Sequence, residues 1–167
     1  MNVDSFKFMP RTLAESMKVW PYVDTSGEDI PWTIPRKPVR DCKVALVSTG
    51  GFFHKDDESF DLEHERREPL WGDPGFREIP RGISQEDIRA AHFHYENHHA
   101  LEDYNCMFPM AALEDLLAEG IIGDIANFHL SMMGYQPRLG TFIRETAPRM
   151  AARLLEMGVD LALLSPG

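Results

Sequence analysis

The chain has 167 residues, with 27 acidic and 17 basic side chains and a formal net charge of −10. Apolar residues make up 43% and charged residues 26%, an ordinary globular balance that excludes a disordered chain. A surface this acidic argues against nucleic acid or an anionic membrane as a partner, and the length suits one domain.

No apolar run approaches the roughly 20 residues that span a bilayer. The opening residues, Met1 to Lys7, hold no apolar stretch of a secretory signal. The two cysteines, Cys42 and Cys106, are too few for a disulfide scaffold. A cytoplasmic protein is expected.

Residues 1–41 form a proline-rich arm. Pro10, Pro21, Pro31, Pro35 and Pro38 punctuate it, and each fixes φ and removes a donor. A short helix is expected around Arg11 to Val19, then an extended segment over 20–41. Trp20, Trp32 and Ile34 are expected to pin that segment to the body, because exposing them would forgo apolar burial.

Residues 42–167 form the body. Lys43 to Ser48 is a continuous apolar run without alternation, the pattern of a strand buried on both faces. Thr49-Gly50-Gly51 ends it and could cradle an anion, although it is not a dinucleotide fingerprint and no phosphate-loop lysine follows. Residues 54–82 show no periodicity and read as a long, ordered loop. Ile88 to Tyr95 reads as a second strand. Met110 to Glu119 reads as a helix closed by Gly120. A third strand is expected over Asp124 to Gly134. Thr146 is expected to cap a helix with Pro148 in its first turn and Gly158 at its end. A short, buried fourth strand is expected over Val159 to Ser165. Alternating strands and helices specify a parallel sheet with right-handed crossovers. The fold class is α/β: a three-layer, Rossmann-like or flavodoxin-like domain with an irregular N-terminal arm, and the expectation is that it continues past its C-terminus.

Four of the seven histidines, His92, His94, His98 and His99, fall within eight residues. On a strand His92 and His94 share a face. They could line a polar pocket suited to acid–base work, hold a metal with His129 or Glu96, or simply be solvated. The spacing matches no strong zinc signature, and no metal is assigned. Cys106 precedes a helix, a setting that favours thiolate, so it reads either as a redox or nucleophilic thiol or as a small buried hydrophobe. Cys42 reads as structural, and Met132-Met133 as core.

Seven blocks in order resemble the selenoprotein B family of glycine, sarcosine, betaine and D-proline reductases. They are Val44 to Gly51, Gly72 to Pro80, His92 to Tyr95, Asn105 to Pro109, Leu113 to Gly123, His129 to Gly134 and Gly158 to Pro166. The resemblance covers roughly residues 30–167. It implies an oxidoreductase component that uses a selenol or thiol to cleave a C–N bond of a small amino acid or amine. In that family a selenocysteine or cysteine directly follows the last strand. The expectation is therefore a catalytic selenocysteine or cysteine immediately after Gly167, with no other cofactor, and a UGA codon read as termination. The 167-residue chain alone would then be inactive.

By the same resemblance His92, His94, Tyr95 and His129 orient or protonate the substrate. Thr49, Gly50 and Gly51 line the pocket, Arg77 pairs with a substrate carboxylate or with a local acid, and Cys106 is a resolving thiol or a packing residue. The implied partners are a small-molecule substrate, a partner reductase subunit and a thiol reductant, in an oligomer. The competing readings are a histidine-based, metal-assisted enzyme and a catalytically silent subunit that binds a partner chain.

Overall fold

The computed structural model describes residues 5–19, 27, 29 and 33–166. They fall into two units, 1–34 and 35–167. The first unit holds a 3₁₀ turn, Ser5–Phe8, and helix α1 (Arg11–Lys18), which starts after Pro10 and buries Ala14. Ile34 is 74% exposed, while Trp20 and Trp32 lie outside the described residues.

The second unit runs β1 (Lys43–Ser48), β2 (Phe52–His54), α2 (Leu62–Arg67), β3 (Phe76–Pro80), β4 (Ile88–Ala90), α3 (His98–Glu102), α4 (Met110–Ala118), β5 (Asp124–Ile125), β6 (Phe128–Met132), α5 (Leu139–Thr141), α6 (Ala147–Glu156) and β7 (Leu161–Ser165). Strand β1 is the centre. It pairs in parallel with β5 and β6 on one side and with β7 on the other. Beyond β6, β3 pairs antiparallel. The first three parallel positions thus follow the flavodoxin-like order, with the second strand on one side of the first and the third on the other. In such sheets ligands gather at the carboxyl ends of the strands, where the winding reverses. Here that switch point is between β1 and β7.

Alternation along β1 sends Val44 and Leu46 to one face and Val47 to the other. The first face packs on Ile79, Ile125, Phe108 and the α4 residues Met110 and Leu113. Phe108 also stacks at a tilt on Phe52, 5.6 Å between centroids. The second face packs Val47 and Leu130 against Met150 of α6. Fully burying a large aliphatic or aromatic side chain contributes about 1.5–3 kcal/mol, so these two apolar layers dominate the stability of the unit. The three-layer α/β expectation is met.

Several local expectations are corrected. The region 54–82 is no loop: it contains α2 and the edge strand β3, whose central Arg77 and Glu78 conceal its strand character. Glu78 takes a two-pronged ion pair from Arg153 of α6 at 2.7 and 2.9 Å. The second strand stops at Ala90 and joins β2 in a separate two-stranded sheet. The third strand is broken after Ile125, because β5 pairs with the start of β1 while β6 pairs with its end and with β3. Thr146 caps nothing. It lies inside a helix that begins at Leu139 and passes through a π-helical stretch, Phe142–Thr146. Gly120 and Gly158 close α4 and α6 with φ of +69° and +70°, as read from the sequence. Strand β7 is exposed rather than buried: Leu163 is 46% and Leu164 72% accessible. Among the described residues, no helix is long and apolar enough to cross a membrane.

Candidate functional site

The carboxyl ends of β1 and β7 are tied together by a single carbonyl. Ser48 Oγ and Ser165 Oγ both donate to Met107 O, at 3.3 and 2.8 Å. This contact draws the turn Tyr104–Cys106 over the switch point. Cys106 is exposed there, and Asn105 holds the turn by accepting from Ala111 N–H at 2.8 Å. Cys42, by contrast, is buried, with its thiol on Pro38 O at 3.3 Å.

Thr49, Gly50 and Gly51 form the floor. Their amides are committed inside the protein: Thr49 N–H to Ser165 O at 3.2 Å, Gly50 N–H to Ser48 Oγ at 3.1 Å and Gly51 N–H to Met132 O at 3.0 Å. The next amide, Phe52 N–H, donates to Ser131 Oγ at 2.8 Å. The loop therefore offers small backbone walls and not an anion cradle. Gly51 has φ of +67°, and a Cβ there would lie 2.5 Å from Ala91 O, so glycine is required on two counts.

Tyr95 reaches this floor. Its hydroxyl donates to Gly50 O at 2.6 Å. Burial, with the charge of nearby Cys106 adding, pushes the phenol up to about 12, so it stays a hydrogen-bond donor. His92 stands 4.7 Å from the Tyr95 ring and accepts His94 N–H on Nδ1 at 3.0 Å. Burial, with His94 adding, lowers His92 to about 4, so it is neutral. His94 and His92 meet edge to face, 5.5 Å apart, in a turn instead of on a strand. His94 stacks on Tyr135 at 3.8 Å, and its Nε2 lies 2.6 Å from Glu65 Oε1. Glu65 is 4% exposed, and its other oxygen, Oε2, is buried with no hydrogen-bond partner among the described residues. The result is a linked set running from Glu65 through His94 and His92 to Tyr95, Gly50 and the switch point.

Two expected members lie apart. His129 on β6 is fully buried. It fills the gap where β5 gives way to β6, its Nδ1 accepting Leu46 N–H at 2.9 Å. Burial, helped by the Arg81 charge, lowers it to about 4. Its role is to complete the sheet's hydrogen bonding. Arg77 is spent on the preceding loop: Nε donates to Glu58 O at 2.7 Å and NH2 to Ser59 O at 2.9 Å, with the guanidinium 4.4 Å from the Phe60 ring centre. These contacts make it a clamp on the loop 58–60. His98 and His99 stack on one another at 3.8 Å on α3, both exposed. Among the described residues no three His, Cys, Asp or Glu side chains converge as a metal-holding group.

Sequence reasoning missed Glu65, Tyr135, Ser48 and Ser165. Glu65 is hidden in the charge run Glu63 to Glu68, where a solvated face is the default reading. The buried face of α2 is what singles it out.

The family model for glycine/sarcosine/betaine reductase selenoprotein B matches residues 22–166. The chain is 37% identical over 136 residues to the D-proline reductase subunit gamma of Acetoanaerobium sticklandii, covering 81% of this chain and 53% of that one. It is 26% identical over 135 residues to the sarcosine reductase complex component B subunit beta of Peptoclostridium acidaminophilum, covering 78% of this chain and 30% of that one. The chain thus spans about half, or less, of the curated relatives it matches. No solved structure matches it. With the match extending from residue 22 through β7 and so over every residue of the switch point, the chain belongs to the glycine/sarcosine/betaine reductase selenoprotein B family.

Proposed function

We propose that this chain is a component of a selenol- or thiol-dependent reductase that cleaves a C–N bond of a small amino acid or amine, of the glycine, sarcosine, betaine or D-proline type. The observation that carries this reading is the convergence of Ser48, Gly50, Tyr95, Cys106 and Ser165 at the carboxyl ends of β1 and β7, in a chain of this family.

The site suits a chalcogen nucleophile at the tip of β7. Gly50 and Gly51 let the backbone pack closely at the floor, where a Cβ would meet the Phe52 ring and the Ala91 carbonyl at 2.5 Å. When present, a selenocysteine or cysteine would supply the electron pair that displaces nitrogen from carbon, and a thiol attacking the resulting chalcogen–carbon bond would release the reduced carbon and leave a selenosulfide or disulfide for the external dithiol to reduce. This chain's own residues do the rest. Tyr95 stays protonated and holds the Gly50 carbonyl in place. The Glu65–His94 pair keeps an imidazole oriented, ready to give a proton to the departing nitrogen. The exposed Cys106 thiol can exchange with an external dithiol. A partner reductase subunit and a thiol reductant complete the system.

The test is the component purified from its host, assayed with glycine, sarcosine, betaine and D-proline and a dithiol. One dithiol should be oxidised for each C–N bond cleaved with at least one of the four substrates. No substrate-dependent oxidation with any of them would overturn the proposal. The isolated 167-residue chain should show no turnover.

A further inference from the structure

Strand β7 poses a problem that the crevice does not solve. Its sequence, Leu161-Ala162-Leu163-Leu164-Ser165, is apolar on both faces, the composition of an interior strand of a parallel sheet. Yet Leu163 is 46% and Leu164 72% accessible, on opposite faces. Leu155 of α6 and Ile143 are 74% and 61% exposed. Ala162 and Leu164 open onto a groove of about 420 Å³ whose wall is Phe142, Met150 and Leu154. The backbone is also half used. Ser165 O accepts Thr49 N–H, so by the alternation of a parallel ladder Leu161 and Leu163 face β1, while Ala162 and Leu164 turn their N–H and C=O groups away from it. Among the described residues no strand takes that edge. Natural proteins do not leave a flat leucine edge bare.

We infer that β7 is an interior strand in the working reductase component. Its outer edge pairs with a further strand, and the α6 groove is covered by an accompanying apolar helix. Both come from the part of the reductase component that this chain does not span. Two observations point to that occupant. The D-proline reductase gamma subunit is matched over only 53% of its length, so the relatives carry substantial further polypeptide. A second copy of this chain is disfavoured by charge, since each copy brings −10 to the contact. The inference rests on the reductase reading for the identity of the occupant.

The test is hydrogen–deuterium exchange on the isolated 167-residue chain and on the component purified from its host. The Ala162 and Leu164 amides should exchange at least tenfold more slowly in the component, and cross-links from β7 should map to a segment homologous to the unmatched part of the D-proline reductase gamma subunit. Leu164→Lys, at a site too exposed to matter for folding, should weaken that association at least tenfold while the isolated chain keeps its circular dichroism. Unchanged exchange at both amides, unimpaired assembly of Leu164→Lys, or cross-links from β7 only to a second copy of itself would overturn the inference. Protection at β7 in a component without reductase activity would sink the functional reading and leave the interface standing.

Discussion

Replacing His129 by asparagine tests whether this histidine is a sheet-completing group instead of a catalytic acid. In the folded chain its Nδ1 accepts Leu46 N–H, so the fitting form is the neutral ring protonated on Nε2, and burial lowers its pKa to about 4. In the unfolded chain the ordinary value of about 6.5 returns. Between these values the unfolded state binds a proton that the native state refuses. The stability this represents is fully present above about pH 6.5 and lost as pH falls toward 4. A gap of about 2.5 units, at about 1.36 kcal/mol each, makes the loss about 3 kcal/mol. Asparagine keeps an oxygen within reach of the Leu46 amide but does not titrate. Truncating the ring costs about 1–3 kcal/mol at neutral pH. Urea unfolding from about pH 7.5 to about pH 4 should show wild type losing about 3 kcal/mol more than His129→Asn. His92 acts alike in both and cancels. Parallel stability curves for the two proteins would refute the reasoning.

Gly51→Ala should destabilise the chain by about 1–3 kcal/mol, because its φ of +67° and the Ala91 carbonyl 2.5 Å from the new Cβ both resist it. An unchanged melting temperature would contradict that. Glu65→Gln should lower turnover of the assembled component at least about tenfold with little change in KM, since the carboxylate orients His94 without touching substrate, and Glu65→Asp should recover part of the loss. Equal turnover in wild type and Glu65→Gln would remove the pair from the proposed chemistry.

The parallel α/β core was legible because β1 is apolar throughout and its two crossover helices carry helical periodicity, with Gly120 and Gly158 at their ends. The edge strand β3 was not, because edge strands tolerate charge and Arg77 and Glu78 each have a partner that only the tertiary fold supplies. Of the candidate site, Gly50, Gly51, Tyr95, His92, His94 and Cys106 were visible as a family pattern, and the structure brings them to one end of the sheet. His129 and Arg77 misled for one reason. Residue type signals chemistry, but partners decide it, and theirs are a backbone amide and two loop carbonyls. Glu65 was hidden because its burial depends on how α2 packs, which no local pattern encodes.

The most direct measurement is substrate-dependent dithiol oxidation by the host-purified component carrying Cys106→Trp, beside Cys106→Ser and wild type. Cys106 is exposed and precedes Met107, whose carbonyl accepts from Ser165 at the end of β7, so an indole there would crowd the switch point from the surface. The account predicts that wild type oxidises one dithiol per C–N bond broken, and that both variants lose turnover, the serine variant through its missing thiol and the tryptophan variant through crowding as well. Full turnover in the tryptophan variant would contradict it.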